Sequence, residues 1–263
     1  MWENSRYMNT AVKSLPESRK GLFAKIGDFF FFHRNWMSGL LMITLVALCK
    51  PIFPGGNRHA DLWLDVVAFA VIFFGQGLRA MVIGLTHIDR GGKAGKVWAN
   101  KLLTEGLFSH CRNPLYVGNV MVYFGLFLLL NNPWAYLIGM SYVLLMYKSI
   151  IAAEESFLRG KFGADYDEYC SRTPRWAIRP GGLCDTVKGM TFQWIRVINK
   201  EYCPILTWIL VSMAILAREA SAVGELGMQY WQTQAIVVVL VVAILSYATV
   251  RHLKVNGRLA TDN

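Results

Sequence analysis

Residues 106–131 read GLFSHCRNPLYVGNVMVYFGLFLLLN, and residues 154–179 read EESFLRGKFGADYDEYCSRTPRWAIR. Polar residues and glycines flank two apolar stretches of membrane length, which Asn131-Asn132-Pro133 connects. We call residues 106–118 the first cluster and residues 154–174 the second cluster. Polar groups at a membrane edge cost free energy unless they bind a partner. Because the clusters lie at the same ends of neighbouring helices, we expect them to meet on one side of the membrane and form a pocket.

The composition is that of a membrane protein. Of the 263 residues, 54% are hydrophobic and only 17% are charged, whereas a soluble domain usually carries about 25% charged residues. A helix crosses a bilayer with about 20 apolar residues, and the mostly apolar stretches are residues 36–54, 62–84, 115–131, 134–153, 203–218 and 232–250. We therefore expect an all-α, polytopic membrane protein with about six transmembrane helices.

The sequence also predicts a helix before these spans and a break after the second cluster. Residues 21–36 read GLFAKIGDFFFFHRNW, whose aromatic and charged residues favour a helix lying in the membrane interface. Gly181-Gly182 indicates a break in the chain. We expect an N-terminal cytoplasmic or interfacial segment over residues 1–35, a membrane core over residues 36–180, and a C-terminal helical hairpin with a tail over residues 181–263.

The distribution of basic residues predicts the orientation. Arginine and lysine are concentrated before the first stretch, in the two long loops that follow the second and fourth stretches, and after the last stretch, while the alternate loops hold Lys50, Arg58 and Arg218. Positive loops stay cytoplasmic, so both termini and both clusters are expected inside. This bias accounts for the net charge of +10 and favours anionic lipid headgroups. No nucleic-acid motif accompanies the charge, so we do not expect nucleic acid as a partner.

The first cluster has the features of a helix start. Pro114 suits the first turn of a helix, where its missing N–H would have no partner, and Asn113 is typical of an N-cap. A helix N-terminus favours an anion such as a carboxylate. Gly118 and Gly125 leave one helix face open to a ligand or to a close neighbouring helix. The alternative is a capped membrane helix with small residues at a packing seam.

The second cluster begins with adjacent carboxylates at the end of a span. Glu154 and Glu155 repel each other, and the helix dipole disfavours them there, so they need a cationic partner. Lys148, Arg159, Arg112 and a cationic ligand are the candidates. Downstream, apolar and aromatic residues recur at helical spacing with Gly163 as an interruption, which predicts an amphipathic segment against the membrane; they are Phe157, Leu158, Phe162, Tyr166 and Tyr169. The alternative is a solvated helix end with ordinary ion pairs.

Together the clusters resemble the integral-membrane methyltransferases that include isoprenylcysteine carboxyl methyltransferase and phospholipid N-methyltransferases. The family pattern is G-x-[YF]-x-x-x-R-[HN]-P-x-Y-x-G, a helical hairpin, E-E-x-x-L-x-x-x-F-G-x-x-Y-x-x-Y, and an arginine-proline tail. Here Gly106, Phe108, Arg112, Asn113, Pro114, Tyr116 and Gly118 match the first half. Glu154, Glu155, Leu158, Phe162, Gly163, Tyr166, Tyr169, Arg172 and Pro174 match the second half.

The resemblance implies that the chain uses S-adenosylmethionine. One of the two glutamates would pair with the cofactor ammonium, the helix start at the first cluster would receive its carboxylate or ribose, and a tyrosine ring would lie near the adenine or sulfonium. The implied catalytic residues are Glu154 and Arg172. The implied cofactor-binding residues are Arg112, Asn113, Pro114, Leu115, Tyr116, Gly118, Glu154, Glu155, Tyr166 and Tyr169. No metal site is expected, because the histidines are scattered.

Departures from the pattern bear on the methyl acceptor. Isoprenylcysteine enzymes place an arginine one helical turn before the first glutamate, where it can hold the substrate carboxylate, and this chain has Ile150 there. We expect a lipid or another lipophilic acceptor with an amine, thiol or hydroxyl group. An isoprenylcysteine-type carboxyl methyltransferase, an NADPH-dependent reductase of the membrane sterol type and a non-enzymatic membrane protein remain alternatives. Arg79 and Lys148 are the clear charges inside spans, and both are long enough to snorkel. The sequence leaves the oligomeric state and the choice between a bacterial inner membrane and the endoplasmic reticulum open.

Overall fold

The computed structural model describes residues 21–52, 58–88, 90–93, 96–222 and 230–259. The basic residues among the first 20 positions, which contribute to the predicted orientation, lie outside these ranges, as does most of the predicted N-terminal segment 1–35.

The described residues are mostly helical. The helices are α1 (Leu22–Leu48), α2 (Arg58–Leu85), α3 (Pro114–Leu130), α4 (Ser141–Phe162), α5 (Ala164–Arg172), α6 (Leu183–Lys188), α7 (Trp194–Ala222) and α8 (Tyr230–Val255). A 3₁₀ turn spans Gly106–Ser109, and a π-helical turn, Ala135–Met140, leads into α4. Two short strands, β1 (Arg90–Lys93) and β2 (Lys96–Ala99), pair antiparallel in the loop before the first cluster. The prediction of an all-α protein is confirmed, with this small ribbon as an addition.

The helices have the length and polarity of membrane spans. Four segments are long and apolar enough to cross a bilayer, namely His59–Leu85, Ala135–Phe162, Trp194–Ala220 and Thr233–Val255. Helix α3 is apolar but shorter, with 17 residues. The chain is therefore an integral membrane protein, and the first predicted span lies in α1, outside these four segments. Two helices extend beyond the predicted apolar stretches that they contain, because α4 continues past residue 153 to Phe162 and α7 starts at Trp194, before residue 203.

Helix α1 differs from the sequence prediction. One continuous helix, Leu22–Leu48, contains most of the predicted interfacial segment 21–36 and the first part of the predicted span 36–54, whose residues 53 and 54 lie outside the described ranges. Residues 22–48 contain no proline, so nothing in the local sequence stops the helix before Leu48. Phe30 and Phe31 are buried against the core, while Phe29 and Phe32 are exposed. The aromatic run therefore contributes one face to helix packing.

Helices α2 and α3 pack closely because both carry glycine at their contact. A Cβ on Gly118 would lie 2.8 Å from the backbone oxygen of Gly75, and one on Gly125 would lie 2.8 Å from that of Ala68. Small residues let membrane helices approach each other in this way. The sequence predicts that the open face of α3 admits either a ligand or a close neighbouring helix. In the structure, α2 occupies this face.

A tight turn joins α3 to α4 and brings the two clusters together. Asn131 ends α3 in the left-handed conformation, with φ of 41°. The side-chain amide of Asn131 donates to the backbone oxygen of Ile52, and that of Asn132 donates to the backbone oxygen of Lys50, over 2.7 Å. The predicted helical hairpin is confirmed. Its antiparallel helices place the start of α3 beside the last turns of α4.

Candidate active site

The two clusters are joined by a direct hydrogen bond. The hydroxyl of Tyr116, in the first turn of α3, donates to Oε1 of Glu154 on α4 over 2.5 Å. A second link is the salt bridge between Nη1 of Arg112 and Oε1 of Glu155, over 3.2 Å. The clusters therefore meet as the sequence predicts. The glutamates lie about two turns before the end of α4, because the helix continues to Phe162.

Glu155 is neutralised by two arginines. The Arg175 guanidinium donates from Nε to Oε1 over 2.9 Å and from Nη2 to Oε2 over 2.5 Å. Arg112 approaches the same carboxylate, of which only 7% is exposed. A bidentate arginine–carboxylate pair is strong and geometrically specific. Arg112 was among the predicted partners, whereas Arg175 was not.

The other predicted partners of the glutamates lie elsewhere. Nε of Arg159 donates to Oδ1 of Asp167 over 2.7 Å, on the surface. Nζ of Lys148 lies over the ring of Phe23, 5.2 Å from its centroid. Neither cation reaches the glutamate pair.

Glu154 is buried, and within the described ranges no cation pairs with it. Its side chain accepts the Tyr116 hydroxyl, and among the residues that the structure describes no lysine, arginine or histidine forms a salt bridge with it. Only 8% of the residue is exposed. A buried carboxylate without a counter-charge is costly, and a cationic ligand would lower that cost. The two adjacent glutamates therefore have different environments.

The chain after α5, residues 173–179, is held against the first cluster by backbone hydrogen bonds; we call it the arginine-proline tail. The Arg112 N–H donates to the Pro174 oxygen over 2.9 Å, and the Arg179 N–H donates to the His110 oxygen over 3.0 Å. This pairing carries Arg175 to Glu155. The sequence signal for it is the arginine-proline tail of the family pattern, which does not say which arginine reaches the site.

Asn113 holds the predicted N-cap position but uses its side chain differently. Its backbone oxygen accepts the Tyr116 N–H over 3.0 Å and the Val117 N–H over 3.2 Å. Its side-chain amide makes no cap hydrogen bond and instead donates to the Arg175 oxygen over 3.1 Å. The predicted N-cap position is therefore confirmed, while the side-chain amide binds the arginine-proline tail. Pro114 is the first residue of α3, as predicted.

The two predicted tyrosines of α5 are buried, and Tyr166 lies near the Glu155 carboxylate. Tyr166 is 2% exposed, and Tyr169 donates from its hydroxyl to the Phe108 oxygen over 2.7 Å. Burial raises the pKa of the Tyr166 hydroxyl, and the Glu155 carboxylate raises it further, so the hydroxyl stays protonated. Both rings pack in a small apolar cluster with Ala99. The aromatic segment therefore packs on the end of β2.

Arg112 is held in its charged form. Burial lowers the pKa of its guanidinium, but the Glu155 carboxylate and the neighbouring Cys170 and Tyr166 raise it more, and the net change is upward. Nη1 of Arg112 also lies 2.7 Å from Sγ of Cys170. The guanidinium is thus a fixed positive charge between the two clusters.

The remaining predicted site residues divide into buried and exposed positions. Leu115 packs with the apolar group that contains Val82 and Phe108. Gly118 is covered by α2, since a Cβ there would lie 2.7 Å from Cγ of Arg79. The side chain of Arg172 is 73% exposed and pairs with Glu168. The structure therefore does not bring Arg172 to Glu154.

A buried ion pair that the sequence reading missed lies behind this site. Nε and Nη2 of Arg79 donate to the two carboxylate oxygens of Glu201 over 2.9 and 2.6 Å, and Nε2 of Gln76 donates to the same carboxylate over 2.7 Å. Arg79 also donates to Asn119, next to Gly118. Arg79 therefore does not snorkel. The pair connects α7 to α2 and α3. The predicted boundary between a membrane core and a C-terminal hairpin at residue 180 stays a prediction.

A cavity adjoins the first cluster. It has a volume of about 390 Å³ and is lined by residues that include Thr86, Lys101, Thr104, Glu105, Gly106 and Met190. Ligand pockets usually measure about 300–1,000 Å³. Gly106, a residue of the motif, has φ of +62° at this cavity. The cavity is thus large enough for a small ligand and lies next to the first cluster.

The sequence has counterparts among known proteins. A family model of phospholipid methyltransferases matches residues 66–165. Protein-S-isoprenylcysteine O-methyltransferase B of Arabidopsis thaliana is 30% identical over 147 residues, which are 54% of this chain and 72% of that protein. The human protein-S-isoprenylcysteine O-methyltransferase is 31% identical over 43% of this chain and 40% of its own length. The cobalt-zinc-cadmium resistance protein CzcN of Cupriavidus metallidurans is 25% identical over 68% of this chain and 81% of that protein. No solved structure matches the chain.

The fold and the site define a class of protein. It is a helical membrane protein whose two motifs meet at one end of the α3–α4 hairpin. The chain belongs to the family of integral-membrane methyltransferases that contains the isoprenylcysteine O-methyltransferases and the phospholipid methyltransferases. It is therefore a membrane methyltransferase, as the two clusters predict.

Proposed function

We propose that this chain transfers the methyl group of S-adenosylmethionine to a lipid or another lipophilic acceptor, with Glu154 at the centre of the cofactor site. The observation that carries the proposal is the environment of Glu154, which is buried, lies beside the motif residue Tyr116 and has no cationic partner among the described residues. When bound, S-adenosylmethionine supplies a methyl group that its positive sulfonium already activates.

The residues around Glu154 fit that cofactor. The Glu154 carboxylate would hold a positive group of the cofactor. The Tyr116 hydroxyl donates a hydrogen bond to Oε1 of that carboxylate and so fixes its orientation. Glu155 keeps a different role, because Arg112 and Arg175 already balance its charge. Its three-residue network holds the arginine-proline tail over the site. The residues around the site have to bind the cofactor, align the acceptor with its methyl group and exclude water.

The acceptor that we propose carries an amine, a thiol or a hydroxyl. Ile150, one turn before Glu154, is fully buried at 0% exposure, so no cation stands there to receive a carboxylate. The Arg175 guanidinium is engaged by Glu155 through two hydrogen bonds. A carboxylate brought to this position without a partner would be desolvated at a cost of several kcal/mol.

An isoprenylcysteine-type carboxyl acceptor is the second candidate. Its support is the similarity to proteins named protein-S-isoprenylcysteine O-methyltransferase. Arg172 is the arginine that this candidate would use, because its side chain is exposed and held only by a surface pair with Glu168. A surface ion pair contributes about 0–1 kcal/mol, so Arg172 is free to turn toward a substrate.

Two measurements on the purified protein test these proposals. Calorimetric titration with S-adenosylhomocysteine should show saturable binding, and titration with NADPH should show none. Labelled methyl transfer to a total lipid extract should then exceed transfer to farnesylcysteine. Binding of NADPH in place of S-adenosylhomocysteine would overturn the cofactor assignment, and a base-labile methyl ester on farnesylcysteine as the faster product would establish the second candidate.

We also propose that both termini and both clusters face the cytoplasm. The support is the concentration of basic residues in the loops on that side.

A further inference from the structure

A group of three acidic side chains lies far from the methyl-transfer site. Asp61 and Asp65 are four residues apart on α2, and so share one face of that helix. Glu219 comes from the last turn of α7. One carboxylate oxygen of each lies within 4.8 Å of the others. Asp61 is about 27 Å along α2 from Arg79, at a rise of about 1.5 Å per residue, so this group belongs to the other end of the helix bundle.

The acidic group contains a buried oxygen without a partner. Asp61 is 5% exposed, and its Oδ2 has no hydrogen-bond partner among the residues that the structure describes. Buried carboxylate oxygens are nearly always hydrogen-bonded, paired or bound to a metal. Since Oδ2 has neither bond nor solvent, its environment points to a ligand.

The helix dipoles favour only some of the negative charges in this acidic group. Asp61 lies in the first turn of α2, where the helix dipole favours a negative charge. Glu219 lies in the last turn of α7, where the dipole disfavours one. The neighbouring Arg218 donates from Nη1 to the Ala47 oxygen over 2.7 Å, at the end of α1. The three carboxylates thus converge from two helices, and a cation bound among them would offset their mutual repulsion.

We propose that Asp61, Asp65 and Glu219 bind a divalent cation of the hard class, with Ca²⁺ as the best fit. Such cations take carboxylate oxygens as ligands. Two oxygens bound to one Ca²⁺ at about 2.4 Å each lie at most about 4.8 Å apart, and the three oxygens here, all within 4.8 Å of one another, are close enough to share one ion. Because the ligands come from α2 and α7, the cation would link these helices at the end of the bundle opposite the methyl-transfer site.

The test is direct cation binding to the purified full-length protein in detergent. Equilibrium dialysis with radioactive Ca²⁺ should show about one ion per chain, and Ca²⁺ should raise the midpoint of thermal unfolding by mass action. Asp61→Asn and Glu219→Gln, measured separately, should each weaken binding at least about tenfold, since each removes a charged ligand. Asp185→Asn is the matched control, because that exposed acidic residue lies on α6.

The proposal is overturned if the unaltered protein shows no saturable Ca²⁺ binding, or if both variants bind Ca²⁺ as the control does. Mn²⁺ bound to the unaltered protein gives a second readout that requires no variant. An electron paramagnetic resonance spectrum of bound Mn²⁺ that reverts to that of free Mn²⁺ when Ca²⁺ is added supports the site. A spectrum of free Mn²⁺ alone refutes it. Neither readout depends on methyl transfer, so failure here leaves the proposed function untouched.

Discussion

The hydroxyl of Tyr116 lies 2.5 Å from Oε1 of Glu154 and donates a hydrogen bond to it. This contact joins the start of α3 to the last turns of α4 and so joins the two halves of the family motif. Because it holds a buried carboxylate that has no described cation beside it, the contact marks the place where we propose that a positively charged ligand binds.

The glutamate pair should divide into a binding residue and a structural residue. Glu154→Gln should weaken S-adenosylmethionine binding about 10- to 100-fold, since a charge-assisted contact contributes about 1.5–3 kcal/mol. Its thermal unfolding midpoint should stay close to that of the unaltered protein. Calorimetric titration and a thermal melt of the same preparation measure the two quantities. Unchanged affinity in Glu154→Gln would exclude Glu154 from the cofactor site.

Glu155→Gln should behave differently and destabilise the fold. Removing this charge leaves the buried Arg112 without its carboxylate, and breaking a buried pair costs about 3–5 kcal/mol. Arg175 is 46% exposed and contributes less, because water screens it. We expect a lower thermal midpoint in detergent, with Glu168→Gln, an exposed acid on α5, as the control. A normal midpoint for Glu155→Gln would contradict the structural role.

Tyr116→Phe tests the hydroxyl by itself. The variant keeps the ring and removes the hydrogen bond to Glu154, so we expect cofactor affinity to fall by about tenfold. Tyr136→Phe is the matched control, because its hydroxyl bonds to Asn131 at the opposite end of the hairpin. Equal affinities in the two variants would show that the Tyr116 hydroxyl has no part in binding.

A pair of glycines on one helix tests the α2–α3 contact. A Cβ on Gly75 would lie 2.8 Å from the Gly118 oxygen, whereas one on Gly77 would meet nothing within 4 Å. Gly75→Ala should therefore lower the thermal midpoint and the yield of folded protein. Gly77→Ala should match or exceed the unaltered protein, since alanine favours a helix by about 1 kcal/mol over glycine. Similar stability of the two variants would argue against the close approach.

The buried pair between Arg79 and Glu201 should be needed for the docking of α7. Glu201 is 1% exposed, and Glu201→Gln leaves the Arg79 guanidinium without its charge partner. A loss of about 3–5 kcal/mol is expected. Limited proteolysis should then cut the loop between α6 and α7 faster than in Asp185→Asn, an exposed control. Equal cleavage rates would show that α7 docks without this pair.

Labelling of single cysteines tests the proposed orientation. In a background without native cysteines, a cysteine at Asn57, which lies outside the described residues, should react with an impermeant reagent added to intact cells. A cysteine at Lys161, near the end of α4, should react only after permeabilisation. The reverse pattern would invert the topology.

The sequence by itself determined the class of fold and the position of the site. Apolar stretches of membrane length require helices, because a backbone in lipid must satisfy its own hydrogen bonds. The turn at Asn131-Asn132-Pro133 then makes α3 and α4 antiparallel, and this alone brings Tyr116 and Glu154 to one end. Such local rules act within a few residues, so they can be read from the chain.

The tertiary structure decided the assignments that depend on side-chain direction across elements. The family pattern named Arg172, but α5 ends there and the extended tail carries Arg175 to Glu155. The order of residues likewise does not show which charges pair between helices. Arg79 and Glu201 form an ion pair although 122 positions separate them along the chain. Which cation reaches which carboxylate is decided by packing, because ion pairs form over a few ångströms in space whatever their separation along the chain.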